Sequence, residues 1–129
     1  MRKFILVTLL TLAAVTATAE PDGWLTRSGY YRVNFESELQ PISINTIHAW
    51  VFEIKTPAGE PVTGATISIT GGMPLHNHGL PTAPRMTAEL GAGRYRLEGL
   101  RFHMSGQWEL LVTVDVDGRR DTAVIALTI

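Results

Sequence analysis

Beyond residue 20, polar and apolar side chains alternate over short runs that glycine, proline or aspartate separates from one another. In residues 47–55 the alternation places Trp50, Phe52 and Ile54 on one side of the chain, and residues 30–36 repeat the pattern. A repeat of two is typical of a half-buried β-strand, and turn residues between short strands are typical of an all-β sandwich. The pattern therefore predicts an all-β fold with Trp50, Phe52 and Ile54 facing its core.

The rest of the chain extends the same architecture. Further strands are predicted at residues 62–70, 86–90, 94–97, 108–116 and 122–127. Gly71-Gly72 is expected to end the first of these strands, and residues 100–104 either continue or restart the third. Gly91-Ala92-Gly93 and Asp117-Gly118 have the composition of tight hairpin turns. The segments together give about seven strands, the number found in an immunoglobulin-like sandwich.

The first 19 residues have the three parts of a secretory signal peptide. Arg2 and Lys3 precede an apolar run at residues 4–15, and Ala17-Thr18-Ala19 matches a small-residue cleavage site. Cleavage after Ala19 is expected to leave residues 20–129 as a single domain that is periplasmic or secreted and has no stable membrane span. The alternative is an uncleaved N-terminal anchor, although the apolar run is short for a membrane span.

Charge and cysteine content exclude several functions. The chain carries 11 basic and 12 acidic residues, and loss of Arg2 and Lys3 with the signal peptide makes it more acidic. A nucleic-acid-binding protein needs a cationic face, so no nucleic-acid partner is expected. The absence of cysteine excludes thiol catalysis, iron–sulfur clusters, cysteine-ligated zinc and a blue-copper site of the usual type. A metal would have to be held by histidine, methionine or carboxylate.

Two short segments bring such ligands together. Met73, His76 and His78 lie in residues 73–84, a long proline-rich segment without a strand pattern. In an extended loop His76 and His78 would point to the same side, because side chains repeat every second residue. A combination of imidazole and thioether suits copper, in either oxidation state. This segment is therefore the first candidate metal site.

His103-Met104 is the second candidate. Neighbouring residues of a regular strand point to opposite faces, so the strand ends before Ser105-Gly106 or only one of the two is a ligand. Methionine also serves as a core filler, and this is the expected role of Met86. His48 lies within a predicted strand, so a structural, hydrogen-bonded role is expected for it, with ligation as the alternative. Zinc stays open as a metal for imidazole ligands.

Nothing in the sequence points to catalysis. No serine lies in a Gly-x-Ser-x-Gly elbow, and no His-Glu-x-x-His motif is present. Asp115, Asp117 and Asp121 are interleaved with Arg119 and Arg120, which favours a solvated turn. The protein is therefore not expected to be an enzyme.

Several segments resemble the YtkA-like family, which is akin to FixH-like domains. They are His48-Ala49-Trp50, residues 59–65, the Gly-Gly-Met-Pro-Leu-His-Asn-His-Gly-Leu-Pro-Thr stretch at 71–82, residues 90–95 and residues 98–106. The resemblance runs in a consistent order from about His48 to Leu111, which makes it more specific than any single motif. The chain departs from many relatives at Gln107-Trp108, where those proteins have an aromatic pair.

The resemblance implies a small exported immunoglobulin-like domain associated with copper handling or oxidase assembly. Its distinctive motifs indicate Met73, His76, His78 and Met104 as the metal-binding positions, with His103 at a variable place in the turn. The resemblance also implies that the loop and the turn face each other at one end of the sandwich. The sequence-based hypothesis is an exported copper carrier that exchanges metal with a donor or acceptor protein. The alternative is a metal-free exported interaction or assembly module whose loop recognises a partner.

Overall fold

The structure, a computed structural model, describes residues 23–129, so the predicted signal peptide and its cleavage site lie outside the described residues. This part of the chain contains nine β-strands and no helix. The strands are β1 Trp24–Leu25, β2 Arg32–Ser37, β3 His48–Lys55, β4 Thr66–Met73, β5 His78–Gly79, β6 Arg85–Gly91, β7 Arg94–Leu100, β8 Gln107–Val116 and β9 Arg119–Thr128. Seven of them have six or more residues, in agreement with the predicted number, and β1 and β5 have two each.

The strands form two antiparallel sheets that pack face to face. One sheet has the order β1-β2-β3-β7-β6 and the other the order β5-β4-β8-β9. Trp50, Phe52 and Ile54 are fully buried between them, which confirms the face predicted from their alternation. From the second sheet, Ile67 and Ile69 are buried against them. Burial of such a shared apolar face is the main source of stability in a sandwich without disulfides.

The predicted strand at residues 62–70 is wrong in both bounds. The backbone of Val62 donates to the carbonyl of Ile54 at 3.0 Å, so the chain at this point still follows β3 of the other sheet. The strand continues through Gly71 and Gly72, where a Cβ atom would collide with the backbone carbonyls of the neighbouring strands β8 and β5. These glycines permit close pairing and do not end the strand.

The segment at residues 100–104 does not extend β7, which ends at Leu100. The Phe102 carbonyl accepts a hydrogen bond from the Asn45 backbone at 2.7 Å, and Gly106 exchanges two hydrogen bonds of 2.9 Å with Ile129. The backbone is thus bonded to a loop and to the C-terminal residue, which removes it from the β6–β7 ladder. The constraint that neighbouring side chains alternate no longer applies to His103 and Met104.

The expectation that Asp121 lies in a solvated turn is also wrong. Asp121 is buried, and its carboxylate accepts backbone hydrogen bonds from Ser28, Tyr30 and Thr122 at 2.9–3.3 Å. Burial raises the pKa of this carboxyl, but the hydrogen bonds to the charged form outweigh it and lower the pKa below its usual value of 3.8. Asp121 therefore links the connection between β1 and β2 to strand β9.

The connections between strands lie at two ends of the sandwich. The histidine end consists of the connections at residues 38–47, 74–77, 80–84 and 101–106, and all four histidines lie in or beside it. The hairpin end consists of the connections at residues 26–31, 56–65, 92–93 and 117–118. Hydrogen bonding between Asn45 and Phe102 joins the connections of the histidine end to one another.

Candidate metal centre

The segment that follows β4 is a tight hairpin and not the extended loop expected from the sequence. β5 turns back on β4, so that His78 pairs with Met73 and Gly79 with Gly72. The His76 backbone donates to the Met73 carbonyl at 3.0 Å, and Asn77 adopts a positive φ of 52° that reverses the chain. The rings of His76 and His78 nevertheless lie side by side, with centroids 6.3 Å apart and planes inclined by 25°.

Met73 lies beneath this hairpin. Only 1% of its surface is exposed, and it belongs to the core between the sheets. The end of its side chain, Cε, lies 3.0 Å from the position that a Cβ on Gly106 would occupy. The thioether therefore reaches the turn that carries His103 and Met104, and an alanine at position 106 would displace it.

The second cluster meets the first directly. The rings of His78 and His103 are in edge-to-face contact, with centroids 5.6 Å apart and planes inclined by 85°. Three imidazoles thus follow one another across the histidine end, from the exposed His76 through His78 to the half-buried His103. Met104 is half-buried at the margin of the core. The facing of loop and turn implied by the family resemblance is confirmed.

His103 offers an unused nitrogen at this place. Its Nδ1 atom is buried and has no hydrogen-bond partner among residues 23–129. A buried polar atom without a partner costs about 1–3 kcal/mol, so such atoms in folded proteins call for a ligand or another reason. An imidazole nitrogen of this kind fits a metal ligand, provided that the ring is neutral.

The donor set defines which metal would fit. Within residues 23–129, no group of three histidine or carboxylate side chains is placed to hold a metal ion. The thioethers of Met73 and Met104 are the further metal-binding side chains that the two segments offer beside the imidazoles. Both ligand types are uncharged, and thioethers favour soft ions, above all Cu(I).

Trp108 supports the site and was missed as a functional residue by sequence reasoning. Its indole Nε1–H donates to the Met104 carbonyl at 3.0 Å, and its ring lies edge-to-face on His103 at 5.5 Å. The side chain is almost completely buried. Trp108 thus holds both residues of the turn, a role that only the fold reveals because its partners lie on an irregular segment.

His48 and Met86 do not join the cluster. The Nδ1 atom of His48 lies 3.0 Å from the Thr46 carbonyl, and its ring packs against Trp50 and Phe102, as expected for a structural histidine. Its buried Nε2 has no hydrogen-bond partner in the described part of the chain. Met86 packs against the core, as predicted.

The surface beside the hairpin is open. A groove of about 460 Å³ runs along the outer face of β4 and β8 and is lined by Pro74, Asn77, His78 and Glu109, among others. His76 and His78 are both exposed, so ligands or partner side chains can reach them from solvent. The imidazoles of His76 and His78 are thus accessible without any opening of the core.

Comparison with known proteins places the chain in a family. None of the curated proteins and none of the solved structures matches it. No helix in the described residues is long and apolar enough to cross a membrane. The model of the YtkA-like family matches residues 27–113, which include both histidine clusters and six complete strands from β2 to β7. The chain belongs to the YtkA-like family.

Proposed function

We propose that this protein is an exported copper-binding carrier, without enzymatic activity, whose site is formed by Met73, His76, His78, His103 and Met104. The main support for this proposal is the contact between the β4–β5 hairpin and the turn after β7. The ring centroids of His78 and His103 lie 5.6 Å apart there. Residues far apart in the sequence that share metal-binding chemistry meet here at one surface. Membership of the YtkA-like family is consistent with a copper-associated role.

The individual residues would contribute differently. His78 and His103 would provide the central imidazoles, and Nδ1 of His103 would supply a nitrogen that has no hydrogen-bond partner within residues 23–129. Met73 would supply a thioether from below, and Met104 a second one from the margin of the core. When bound, copper would be held by uncharged ligands, of which the thioethers favour Cu(I) and the imidazoles suit either oxidation state.

The exposure of the site favours a carrier over a storage protein. His76 and His78 face solvent, so a donor or acceptor protein in the same compartment can replace them one ligand at a time. His103 and Met73 lie deeper and would retain the metal during the exchange. Export through the predicted signal peptide would place this exchange in the periplasm or outside the cell.

The direct test is a titration of the protein comprising residues 20–129 with Cu(I), Cu(II) and Zn(II) against a competing chelator. We expect one tightly bound Cu(I) per chain and a loss of affinity of at least about 100-fold in the His76→Ala/His78→Ala variant, equivalent to ~2.7 kcal/mol. Both side chains are exposed, so this variant should fold normally. The matched control, Thr63→Ala/Thr66→Ala, changes two exposed residues near the opposite end. Equal copper affinity in all three proteins would refute the proposal.

A metal-free interaction module is the second candidate, and one observation favours it. Leu75, at the tip of the β4–β5 hairpin, is 77% exposed beside Pro74. Loops carried by a rigid scaffold commonly bind partners, and an exposed apolar side chain at the tip of this hairpin would fit such a role. A partner complex that survives strong chelation and the His76→Ala/His78→Ala substitutions would support this function, and its loss under either treatment would argue against it.

A further inference from the structure

The outer edge of strand β9 is open over most of its length. Among the described strands β9 pairs only with β8, in a single register that runs from Arg119 to Thr128. On its outer side, the Thr122 carbonyl accepts a hydrogen bond from the Arg27 backbone at 2.9 Å. No other backbone hydrogen bond joins this side of β9 to another segment within residues 23–129. From residue 123 onwards β9 therefore ends its sheet without a neighbouring strand.

Two sets of hydrogen bonds show which backbone groups face this open edge. The Thr122 carbonyl is bonded to Arg27 on the outer side, whereas Ile129 exchanges two hydrogen bonds with Gly106 on the β8 side. Successive residues of an antiparallel strand direct their N–H and C=O groups to opposite sides, so the even-numbered positions of β9 face outwards. The residues whose N–H and C=O groups lie on the open edge are Val124, Ala126 and Thr128.

The edge lacks the features that protect most exposed strands from pairing. Residues 122–129 contain no charged residue and no proline, and their register with β8 has no bulge. Such features are common on edges because unpaired N–H and C=O groups are a template for another strand. The edge strand β6, in contrast, exposes Arg85 and Glu89, and its register shifts twice. At the opposite edge of the β9 sheet, β5 covers one end of β4, and the Leu80 backbone occupies the Gly71 carbonyl.

The same edge of a second copy is complementary to this one. Two β9 strands can run antiparallel about a two-fold axis at Ala126, so that Ala126 faces its own copy and Val124 faces Thr128 of the other chain. Outward-facing residues that lie opposite each other exchange two hydrogen bonds, so every free backbone group of the edge finds a partner. The small side chain of Ala126 leaves room at the axis, and the β-branched Val124 and Thr128 are suited to cross-strand packing.

Charge does not oppose this pairing. Glu109, the neighbour of Ala126 on β8, is the charged residue of this sheet that lies closest to the axis. In the joined sheet Glu109 would be three strand spacings, or about 14 Å, from its own copy. The Debye length at physiological ionic strength is about 8 Å, so salt screens the repulsion between the two carboxylates.

We propose that two copies of this chain associate through the open edge of β9, which joins their four-stranded sheets into one continuous sheet. The contact consists mainly of backbone hydrogen bonds and is small, so the protein should be monomeric when dilute and dimeric when concentrated. None of the proposed copper ligands takes part in it. The dimer therefore does not rest on the proposed function, and either proposal can fail without the other.

Sedimentation equilibrium at protein concentrations up to about 1 mM, without metal, tests the proposal. The wild type should dimerise as the concentration rises. Ala126→Pro should weaken the dimer at least about tenfold, because proline lacks the N–H and the dimer loses both hydrogen bonds at its axis. This N–H faces away from β8, so the substitution removes no hydrogen bond within the chain, and proline is tolerated at such edge positions. Ala126→Ser is the matched control, since it keeps the N–H and should dimerise as the wild type does.

Amide hydrogen exchange provides a second measurement that needs no variant. The amides of Val124, Ala126 and Thr128 should exchange more slowly in concentrated than in dilute wild-type protein, because dimerisation gives each of them an acceptor. The amide of Ala58, in an exposed turn at the hairpin end, should exchange at the same rate in both.

Three results would overturn the proposed contact. They are a wild type that stays monomeric up to about 1 mM, a folded Ala126→Pro variant that dimerises as strongly as the wild type, and unchanged exchange at the three edge amides in a protein that dimerises. Both experiments are done without copper. A failed copper titration would therefore refute the copper site and leave the result for the β9 edge unaffected.

Discussion

The two ends of the sandwich are built from similar turns but differ in the metal-binding side chains that they carry. The hairpin end carries charged residues in or beside most of its connections, among them Arg27, Lys55, Glu60, Arg94, Asp117 and Arg119. The histidine end also has charged residues, Glu38, Arg85 and Arg101, but it carries all four histidines and two of the methionines. Charged turns keep a surface solvated, whereas imidazole and thioether groups are suited to binding a metal. Stability and ligand binding are thus expected to depend on different ends of the molecule.

The two ends also differ in whether their buried polar groups have hydrogen-bond partners. At the hairpin end, buried polar groups are saturated: Asp121 accepts three backbone hydrogen bonds, and the Tyr95 hydroxyl donates to Val62 at 2.6 Å and accepts from Ala65 at 3.2 Å. Five buried polar atoms have no partner among the described residues, and they include His103 Nδ1 and His48 Nε2 at the histidine end. The others are Trp50 Nε1, Thr82 Oγ1 and Arg101 Nε, so the two imidazole nitrogens are the unsatisfied nitrogens of this group that can bind a metal.

Among the substitutions that distinguish the two ends, Asp121→Asn is expected to have the largest effect on the free energy of unfolding. The amide can accept fewer and weaker hydrogen bonds from the backbone of Ser28, Tyr30 and Thr122, so we expect a loss of about 2 kcal/mol in the free energy of unfolding. Copper affinity should not change, because the substitution lies at the other end. Urea denaturation and copper competition measure the two quantities. The exposed Asp117→Asn serves as control, and equal destabilisation by both would contradict the assigned role.

Tyr95→Phe should have the next largest effect. It removes a buried hydroxyl that bonds both Val62 and Ala65, and the unfolding free energy should fall by about 1.5 kcal/mol. Tyr30→Phe is the matched control, since Tyr30 is 46% exposed. A reduced copper affinity in Tyr95→Phe would show that the two ends are coupled, and it would contradict their separate roles in stability and ligand binding.

Trp108→Phe tests the same separation from the histidine end. The substitution keeps an aromatic ring against His103 but removes the indole hydrogen bond to Met104. Cu(I) affinity should fall about fivefold, or ~1 kcal/mol, because the turn at Met104 loses the hydrogen bond that holds its backbone in place. Copper competition measures the change, with Trp24→Phe as control. A fall in stability with unchanged copper affinity would limit Trp108 to a structural role.

The smallest effect is expected in the dependence of the unfolding free energy on acidic pH. The pKa of Asp121 is lowered in the folded state, so its contribution is present above the unfolded value, close to pH 4, and declines as the pH falls through the folded value. The unfolding free energy of the wild type should therefore decrease below about pH 4. Asp121→Asn should flatten this part of the profile measured by denaturation at several pH values. An equally steep decrease in the variant would show that other carboxylates cause it.

The sequence predicted the sheets better than their ends. Alternation identified the buried face of β3 because each side of a strand has one environment. It misassigned Gly71 and Gly72, since a glycine that permits close strand pairing looks the same in sequence as one that ends a strand. It also missed the burial of Asp121, because two of the residues that donate to this carboxylate, Ser28 and Tyr30, lie more than 90 positions earlier in the chain.

The candidate site was predictable in its members but not in its geometry. Residue types alone selected both clusters, with Met73 and Met104 among their members, and family resemblance added the facing of loop and turn. The contact between His78 and His103 depends on the irregular backbone after Leu100, which hydrogen bonds to Asn45 and Ile129 create. Contacts of this kind join distant parts of the chain, so a repeat of two in the sequence carries no signal for them.

X-ray absorption spectroscopy at the copper edge of the Cu(I)-loaded protein would identify the ligands of the proposed site. We expect a first coordination shell that contains both imidazole nitrogen and thioether sulfur, and a weaker sulfur contribution in Met104→Leu. Met86→Leu is the matched control, because Met86 packs against the core outside the cluster. A shell of nitrogen and oxygen alone, unchanged in Met104→Leu, would contradict a site built from both histidine and methionine.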